Sequence, residues 1–390
     1  MANRRRRLRE LLSIGAVLLF AAAVTGPAGA ESVPPKTGKA RPVFPLGVWD
    51  QTPEVNAQNY ANIGITQFVG LSDGLSRASL AALAAAHLHL VTDGQSPAVL
   101  AGPDAGVISA WLADPDEPDD AQERPGGGYG PCVDPAAIIA EYKRLKAADP
   151  TRPVELGLGR GVADVNWGGR GSCTDDTAQY PQYARGADIL SFDVYPVNEG
   201  LPLDIVATGV DNLLKWDGGK PTWADIETTD IDGTAGPTPA QTRAETWLAI
   251  IHGATGITYF CHIFTPSFDE AGCLHNPAMA AQLAKQNALI QSLASVILTA
   301  PDVKGAKVSS AVRVDQMTRK GHHGSYYVFA VDPEPHPADA TFTIPGARNG
   351  TVTVIGTSRT LHMTRGVFTD HFRGYGTHLY RLRPSSRLTL

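Results

Sequence analysis

Between residues 44 and 261 the chain carries eight short apolar runs, at 44–49, 66–71, 88–92, 108–113, 154–158, 189–194, 222–226 and 256–261. Their length and their content of Val, Ile and Phe predict buried strands. The stretches between them read as helices. Ile138, Ile139, Tyr142 and Leu145 recur at helical spacing behind Asp134-Pro135, a suitable helix start. Thr238-Pro239 opens a second helix running towards His252, and Asn276-Pro277 opens a third that ends before Pro301. Strands alternating with helices predict βαβ units and a parallel sheet. Eight such pairs in about 260 residues fit a (β/α)₈ TIM barrel spanning residues 43–302. An open doubly wound sheet is the alternative. It lacks its usual dinucleotide fingerprint, because Gly157-x-Gly159-x-Gly161 has no third glycine at the required spacing.

After Pro301 the rhythm changes. Runs at 308–314, 326–331, 340–344, 351–355 and 377–382 alternate or are apolar, Gly and Pro separate them, and no helical spacing remains. This predicts a small antiparallel β-sandwich over residues 303–390, packed on the barrel.

The amino terminus belongs to neither domain. Arg4, Arg5, Arg6, Arg7 and Arg9 precede an apolar core from Leu11 to Val24, and Pro27-Ala28-Gly29-Ala30 supplies small residues for cleavage. Residues 1–30 therefore read as a signal peptide cut near Ala30, and 31–42 as a flexible leader. A membrane anchor is the competing reading, but the run falls short of the roughly 20 apolar residues a span requires. Removing five Arg and one Glu takes the net charge from −6 to −10. A mildly acidic exported protein has no electrostatic reason to bind nucleic acid or an anionic membrane surface. The even set Cys132, Cys173, Cys261 and Cys273 suggests two disulfides in an oxidising compartment. Proximity along the chain favours Cys132 with Cys173 and Cys261 with Cys273; a zinc site is the alternative, without the Cys-x-x-Cys pair that usually marks one.

Catalytic groups of such barrels cluster at the carboxyl ends of the strands. Strand four runs into Asp114-Pro115-Asp116-Glu117-Pro118-Asp119-Asp120, and strand seven into Asp225-Ile226-Glu227. Glu117 and Glu227 are thus expected at one mouth. Hydrolysis of a glycosidic bond needs such a pair, one protonated carboxyl to donate and one ionised carboxylate to attack. The competing reading of the strand-four acids is a solvated loop or a calcium site.

Asp116-Glu117-Pro118 resembles the Asn-Glu-Pro of the large clan of retaining (β/α)₈ glycosidases related to cellulases and β-galactosidases. The resemblance implies that Glu117 is the acid/base and Glu227 the nucleophile. Asp116 stands where the clan has an Asn that contacts the sugar. Ser191-Phe192-Asp193-Val194-Tyr195-Pro196 is similar to the clan's strand-six end, which implies that Tyr195 hydrogen-bonds the nucleophile. Gly253-Ala254-Thr255-Gly256-Ile257-Thr258-Tyr259-Phe260 looks like its last strand. The tail from Gly366 through Phe368, Asp370, Phe372, Tyr375, His378 and Tyr380 resembles the closing strands of its appended β domains.

Aromatic and polar residues near strand ends suit sugars, whose C–H faces stack on rings while their hydroxyls seek polar partners. Trp49, Trp167 and Trp223 are the stacking candidates; Asp50, Asp93, Gln95, Asp116, Asn166, Tyr195 and His262 are the polar ones. Two other functions compete. Gly70-Leu71-Ser72-Asp73-Gly74 matches a nucleophile elbow, which would make Ser72 the nucleophile of an esterase. A barrel that binds carbohydrate without cleaving it is the other. The sequence therefore predicts an exported retaining glycoside hydrolase acting on a poly- or oligosaccharide. It needs no cofactor or metal, and its oligomeric state is encoded in none of these features.

Overall fold

The computed structural model describes residues 41–95, 97–121, 124, 126–300, 305–321 and 325–383. The expected signal segment, most of the leader and the boundary expected between 302 and 303 lie outside the described residues. Eight parallel strands form: β1 (Leu46–Gln51), β2 (Gln67–Leu71), β3 (His89–Thr92), β4 (Ile108–Leu112), β5 (Val154–Leu158), β6 (Ile189–Phe192), β7 (Trp223–Glu227) and β8 (Gly256–Phe260). Their order is β6-β5-β4-β3-β2-β1-β8-β7. Single parallel bridges, Leu190 with Thr222 and Asp193 with Asp225, bring β6 against β7 and nearly close the ring. The expected barrel is present, and its least-paired seam sets two aspartates side by side.

Helices Pro53–Asn62, Arg77–Ala85, Pro135–Ala148, Ile205–Trp216, Pro239–His252 and Pro277–Ile297 serve the crossovers and the end of the barrel. Their starts follow the sequence. Asp134 accepts from the Ala136 N–H, Asn276 from those of Ala278 and Met279, and Thr238 with Gln241 makes a capping box. Two crossovers depart from the expected helices. Between β3 and β4 only Pro97–Leu100 and a 3₁₀ turn at Ala105–Val107 form, and between β5 and β6 only short turns ending in Tyr180–Tyr183 and Ala184–Gly186. In the second case aromatic burial replaces a helical face: Tyr180 and Tyr183 are fully buried, and Tyr180 stacks on Trp216 at 4.3 Å.

The β domain has eight strands among the described residues: β9 (Lys307–Ser310), β10 (Asp315–Lys320), β11 (Tyr326–Val331), β12 (Ala338–Thr343), β13 (Gly350–Val354), β14 (Thr360–Met363), β15 (Val367–Phe372) and β16 (Thr377–Leu382). They pair antiparallel in sheets β10-β11-β16-β13-β14 and β15-β12-β9, the expected sandwich. Phe342, Phe368, Phe372 and Tyr380 fill its core. The run expected at 308–314 is only half strand, and β10 and β14, both largely polar, carry no apolar run that predicts them.

This domain is fused to the barrel through helix Pro239–His252. Trp247 is fully buried, its ring 5.5 Å from that of Phe329, and one apolar cluster runs from the barrel into Met317, Phe329, Val331 and Leu379. His252 bridges Asp211 at 2.9 Å and Asp315 at 3.3 Å across the same joint.

The cysteines pair as proximity favours, Cys132 with Cys173 (Cα–Cα 6.0 Å) and Cys261 with Cys273 (5.1 Å). The first closes a span of 41 residues and the second one of 12. Loop-closure entropy assigns about 4 kcal/mol to the longer and about 3 to the shorter. Replacing Cys132 and Cys173 by Ser should lower the unfolding midpoint more than replacing Cys261 and Cys273, as read from urea titrations followed by circular dichroism.

Candidate active site

The acidic loop after β4 divides its labour. Asp119 is fully buried; it accepts from the Gly159 N–H at 2.8 Å and the Tyr180 hydroxyl at 3.0 Å. Asp120 accepts from the Trp167 indole N–H at 2.9 Å. These two clamp the loop onto the segment following β5. Asp116 and Glu117 turn the other way, into a cleft of about 250 Å³ at the carboxyl end of the barrel. Glu117 holds a left-handed φ of 47°, and its N–H donates to the Gly157 carbonyl at 3.2 Å. Such a conformation costs on the order of 1–3 kcal/mol in a non-glycine residue and recurs where a side chain must be aimed.

The glycines of β5 and its exit make this possible. A Cβ on Gly157 would collide with the Asp116 carboxylate, and one on Gly159 would come within 2.8 Å of the Asp120 carboxylate. The alternating run that fits no dinucleotide motif is a cradle for acids.

Asp193 after β6 and Asp225 on β7 also line the cleft, with Trp49, Tyr195, Phe260 and Phe264 as aromatic walls and Asn198, Glu199, Ile231 and Asp232 at its edge. No Lys, Arg or His lines it among the described residues. Crowding of like charges dominates the chemistry. The charge of Asp193, followed by burial, holds the Glu117 carboxyl well above the usual carboxylate range. Burial, then Asp225 and Asp116, raises Asp193, while a hydrogen bond from Tyr195 opposes the shift. Asp225 is raised by burial and by Glu155, and Asp116 by burial to about 6. Beneath them Glu155, on β5, is buried and pushed up to about 8. Carboxyls crowded in this way titrate as a set rather than one by one.

Of the residues singled out in the sequence, Trp49, Asp116, Glu117 and Tyr195 meet in this cleft. Glu227 does not line it. Its carboxylate is fully buried and accepts from the Val197 N–H at 2.6 Å, the Asn198 N–H at 3.1 Å and the Asn198 amide at 2.5 Å. The fully buried Glu245 carboxyl lies beside it. Burial and the adjacent Glu227 charge raise the proton affinity of Glu245.

Trp223 corrects the sequence reading. It starts β7 rather than following it, and it packs inside the barrel against Val69, Val91, Ala110 and Leu112, below the cleft. Trp167 braces Asp120 and lies under the Arg160 guanidinium at 4.1 Å. Asp93 follows β3 and Asn166 sits in the turns after β5; both are exposed to solvent and neither lines the cleft. Gln95 donates to the Leu145 carbonyl, away from the cleft. Asp50 and His262 form a neighbouring group: the His262 ring nitrogen bonds the Asp50 carbonyl at 2.8 Å, and burial, offset by His262, raises the Asp50 carboxyl. Ser72 donates to the Asp50 carbonyl and to Glu270, and its partners are thus a carbonyl and a carboxylate rather than an imidazole.

Sequence reasoning missed Asp225, Phe260 and Phe264, and left Asp193 without an assigned role. One signal was available: Glu155 and Asp225 are acids within otherwise apolar barrel strands, where an ionisable group is rarely buried without a function or a partner. A wider cavity of about 460 Å³ lies beside Pro196, Arg313 and Tyr375, at the joint with the β domain, and none of the strand-end acids opens into it.

No protein-family model and no curated protein matches the chain. Solved structures do. Alpha-galactosidase I from Mortierella vinacea is 12% identical with a TM-score of 0.53, over 90% of this chain and 99% of the other. A Bacteroides fragilis NCTC 9343 protein, proposed to be an alpha-galactosidase/melibiase, is 11% identical with a TM-score of 0.52, over 87% of this chain and 79% of its own. AmyP, solved in complex with maltose, is 9% identical with a TM-score of 0.50, over 86% of this chain and 90% of its own. At such identities the likeness is one of fold.

The Gly157 cradle is testable without knowledge of the substrate. Gly157→Ala should leave the far-ultraviolet circular dichroism spectrum unchanged while displacing the Asp116 carboxyl. In a crystal structure of the variant, Asp116 should have left its position against β5; an unmoved Asp116 would show that the close approach does not constrain it.

Proposed function

We propose that the protein is an exported glycoside hydrolase, with Glu117 as acid/base and Asp193 as the second, attacking carboxylate. The observation that carries the reading is the convergence of Glu117 and Asp193, from the ends of β4 and β6, on one aromatic-walled cleft. Asp193 is the largest influence on the proton affinity of Glu117, which makes the two carboxyls electrostatic neighbours in the cleft. Tyr195 supports Asp193 through its hydroxyl, the service that the sequence resemblance implies for a nucleophile. The carbohydrate-active proteins that share the fold fit this assignment, and two disulfides fit an oxidising compartment.

In the first step Asp193 attacks the anomeric carbon while Glu117 gives its proton to the departing glycosidic oxygen. In the second, Glu117 takes a proton from water, the resulting hydroxide attacks the same carbon, and Asp193 is released as a carboxylate. Glu227 is assigned a positioning role. Its contacts to Val197 and Asn198 hold the turn Pro196–Glu199, which carries Asn198 and Glu199 to the edge of the cleft.

Chemical rescue separates this assignment from the one the sequence implies. Asp193→Ala should abolish turnover, and azide should restore part of it as a glycosyl azide of inverted configuration. Glu227→Ala should instead destabilise the fold by roughly 1–3 kcal/mol for a stranded buried donor, read as a lower unfolding midpoint, and gain nothing from azide. Rescue at 227 and none at 193 would return the nucleophile to Glu227. Glu117→Gln should lose roughly 10²–10⁴-fold in rate on substrates with poor leaving groups and much less on activated aryl glycosides.

The charge on Asp116 gives a pH prediction. It helps to hold Glu117 protonated, so Asp116→Asn removes a negative neighbour and lowers the Glu117 pKa. The proton donor is then lost at lower pH, and the alkaline limb of kcat/KM should move towards acid. An unmoved or alkaline-shifted limb would remove Glu117 from the donor role.

A further inference from the structure

Two carboxylates suffice for the reaction, yet Asp116, Glu117, Asp193, Glu199, Asp225 and Asp232 all line the cleft. Among the described residues no cationic side chain joins them there. Of the six, Glu199 has a cation nearby, Arg160 at 2.8 Å, which is itself shared with Asp164. The excess continues below the floor. Glu155 is 1% exposed, one of its oxygens accepts from Ser191, and the other has no hydrogen-bond partner. One oxygen of Asp225 is likewise buried and unpartnered. The walls include the aromatic side chains of Trp49, Tyr195, Phe260 and Phe264.

Neutral sugars need hydrogen-bond donors as well as acceptors from their site. The polar lining of this cleft is mostly carboxyl groups, joined by Asn198, Tyr195 and Trp49, and carboxylates and aromatic rings are the groups that recognise an ammonium ion. We propose that the substrate is a glycan containing an unacetylated amino sugar, its ammonium group seated among the acids beside the reacting pair. The inference rests on the hydrolase reading for which cleft is the site; the ligand chemistry is argued from the lining alone. Seating a cation there favours the ionised carboxylates. Because burial and mutual repulsion raise the proton affinity of these acids in the empty cleft, binding of a cation should release protons.

The test is titration calorimetry on the full mature chain with glucosamine, galactosamine, N-acetylglucosamine and glucose, in buffers of differing ionisation enthalpy at one pH. An amino sugar should bind about ten- to a hundredfold more tightly than its acetylated and neutral counterparts, the worth of a single charge-assisted hydrogen bond. Its apparent enthalpy should vary with the buffer, as proton release requires. Equal affinity for the neutral and acetylated sugars, or buffer-independent heat, would overturn the proposal. Asp232→Asn, at the exposed rim, should weaken amino-sugar binding about threefold and leave neutral-sugar binding alone; an equal loss for both would count against it. Amine-selective binding with no hydrolysis of any oligosaccharide would defeat the hydrolase reading and leave this one standing. Hydrolysis of neutral glycans without amine selectivity would do the reverse.

Discussion

The site depends on the close packing of the acidic loop after β4 onto a strand edge without side chains. Gly157 lies in β5, and Gly159 and Gly161 follow it in the exit from the strand. Against them lie the Asp116 carboxylate, the Asp120 carboxylate and the Arg170 side chain with the Tyr180 hydroxyl. A methyl group at any of the three positions would come within 3 Å of one of them. Asp119, between the cleft acids and Asp120, is tied to the Gly159 N–H and to Tyr180, and the disulfide from Cys132 to Cys173 closes the same region. Glu117 can therefore be held with a positive φ, because its neighbours on both sides are fixed by contacts that leave the chain no easier path.

The second constraint is electrostatic. Acids inside a barrel lose hydration, and each that ionises raises the next, so charge is limited by proton uptake rather than by ion pairing. Ser191 satisfies one oxygen of Glu155, and Thr258 helps to hold Asp225. These partners are too few to keep every carboxyl ionised. A cluster of this kind holds protons more tightly than isolated carboxyls do. The seam between β6 and β7 contributes directly, since the single bridge between Asp193 and Asp225 sets the two at one level of the barrel.

Much of the architecture is legible in the sequence because it is written in local pattern. The eight barrel strands, the capped starts at Asp134, Thr238 and Asn276, and both cysteine pairs follow from periodicity and spacing. The site is legible only in part. Sequence places Asp225 and Glu227 two residues apart on one strand, hence on one face, and both remain in β7. Asp225 lines the cleft, while the Glu227 carboxylate is taken up by the backbone N–H groups of the turn beginning at Pro196. No strand period reports a partner supplied by another loop. Trp223 is misplaced because the amino and carboxyl ends of a five-residue strand belong to different side-chain layers of the barrel. Strand β10 escapes notice because its polar residues are satisfied by tertiary contacts, Asp315 with His252 and Arg319 with the Ile297 carbonyl, and β14 because its Thr360 and His362 face solvent.

The burial of Glu227 also explains why the β domain is built onto this particular face of the barrel. Helix Pro239–His252 offers Glu245 and the Thr242 hydroxyl to Glu227 on its inner side, the latter reaching the Glu227 carbonyl at 3.1 Å. From the same helix Trp247 packs against Phe329 of β11. Displacing that helix would loosen the acid pair, then the turn carrying Asn198 and Glu199, and finally the edge of the cleft. The sandwich thus bears on the site without contributing a residue to its lining, by fixing the helix on which the carboxylate behind the cleft depends.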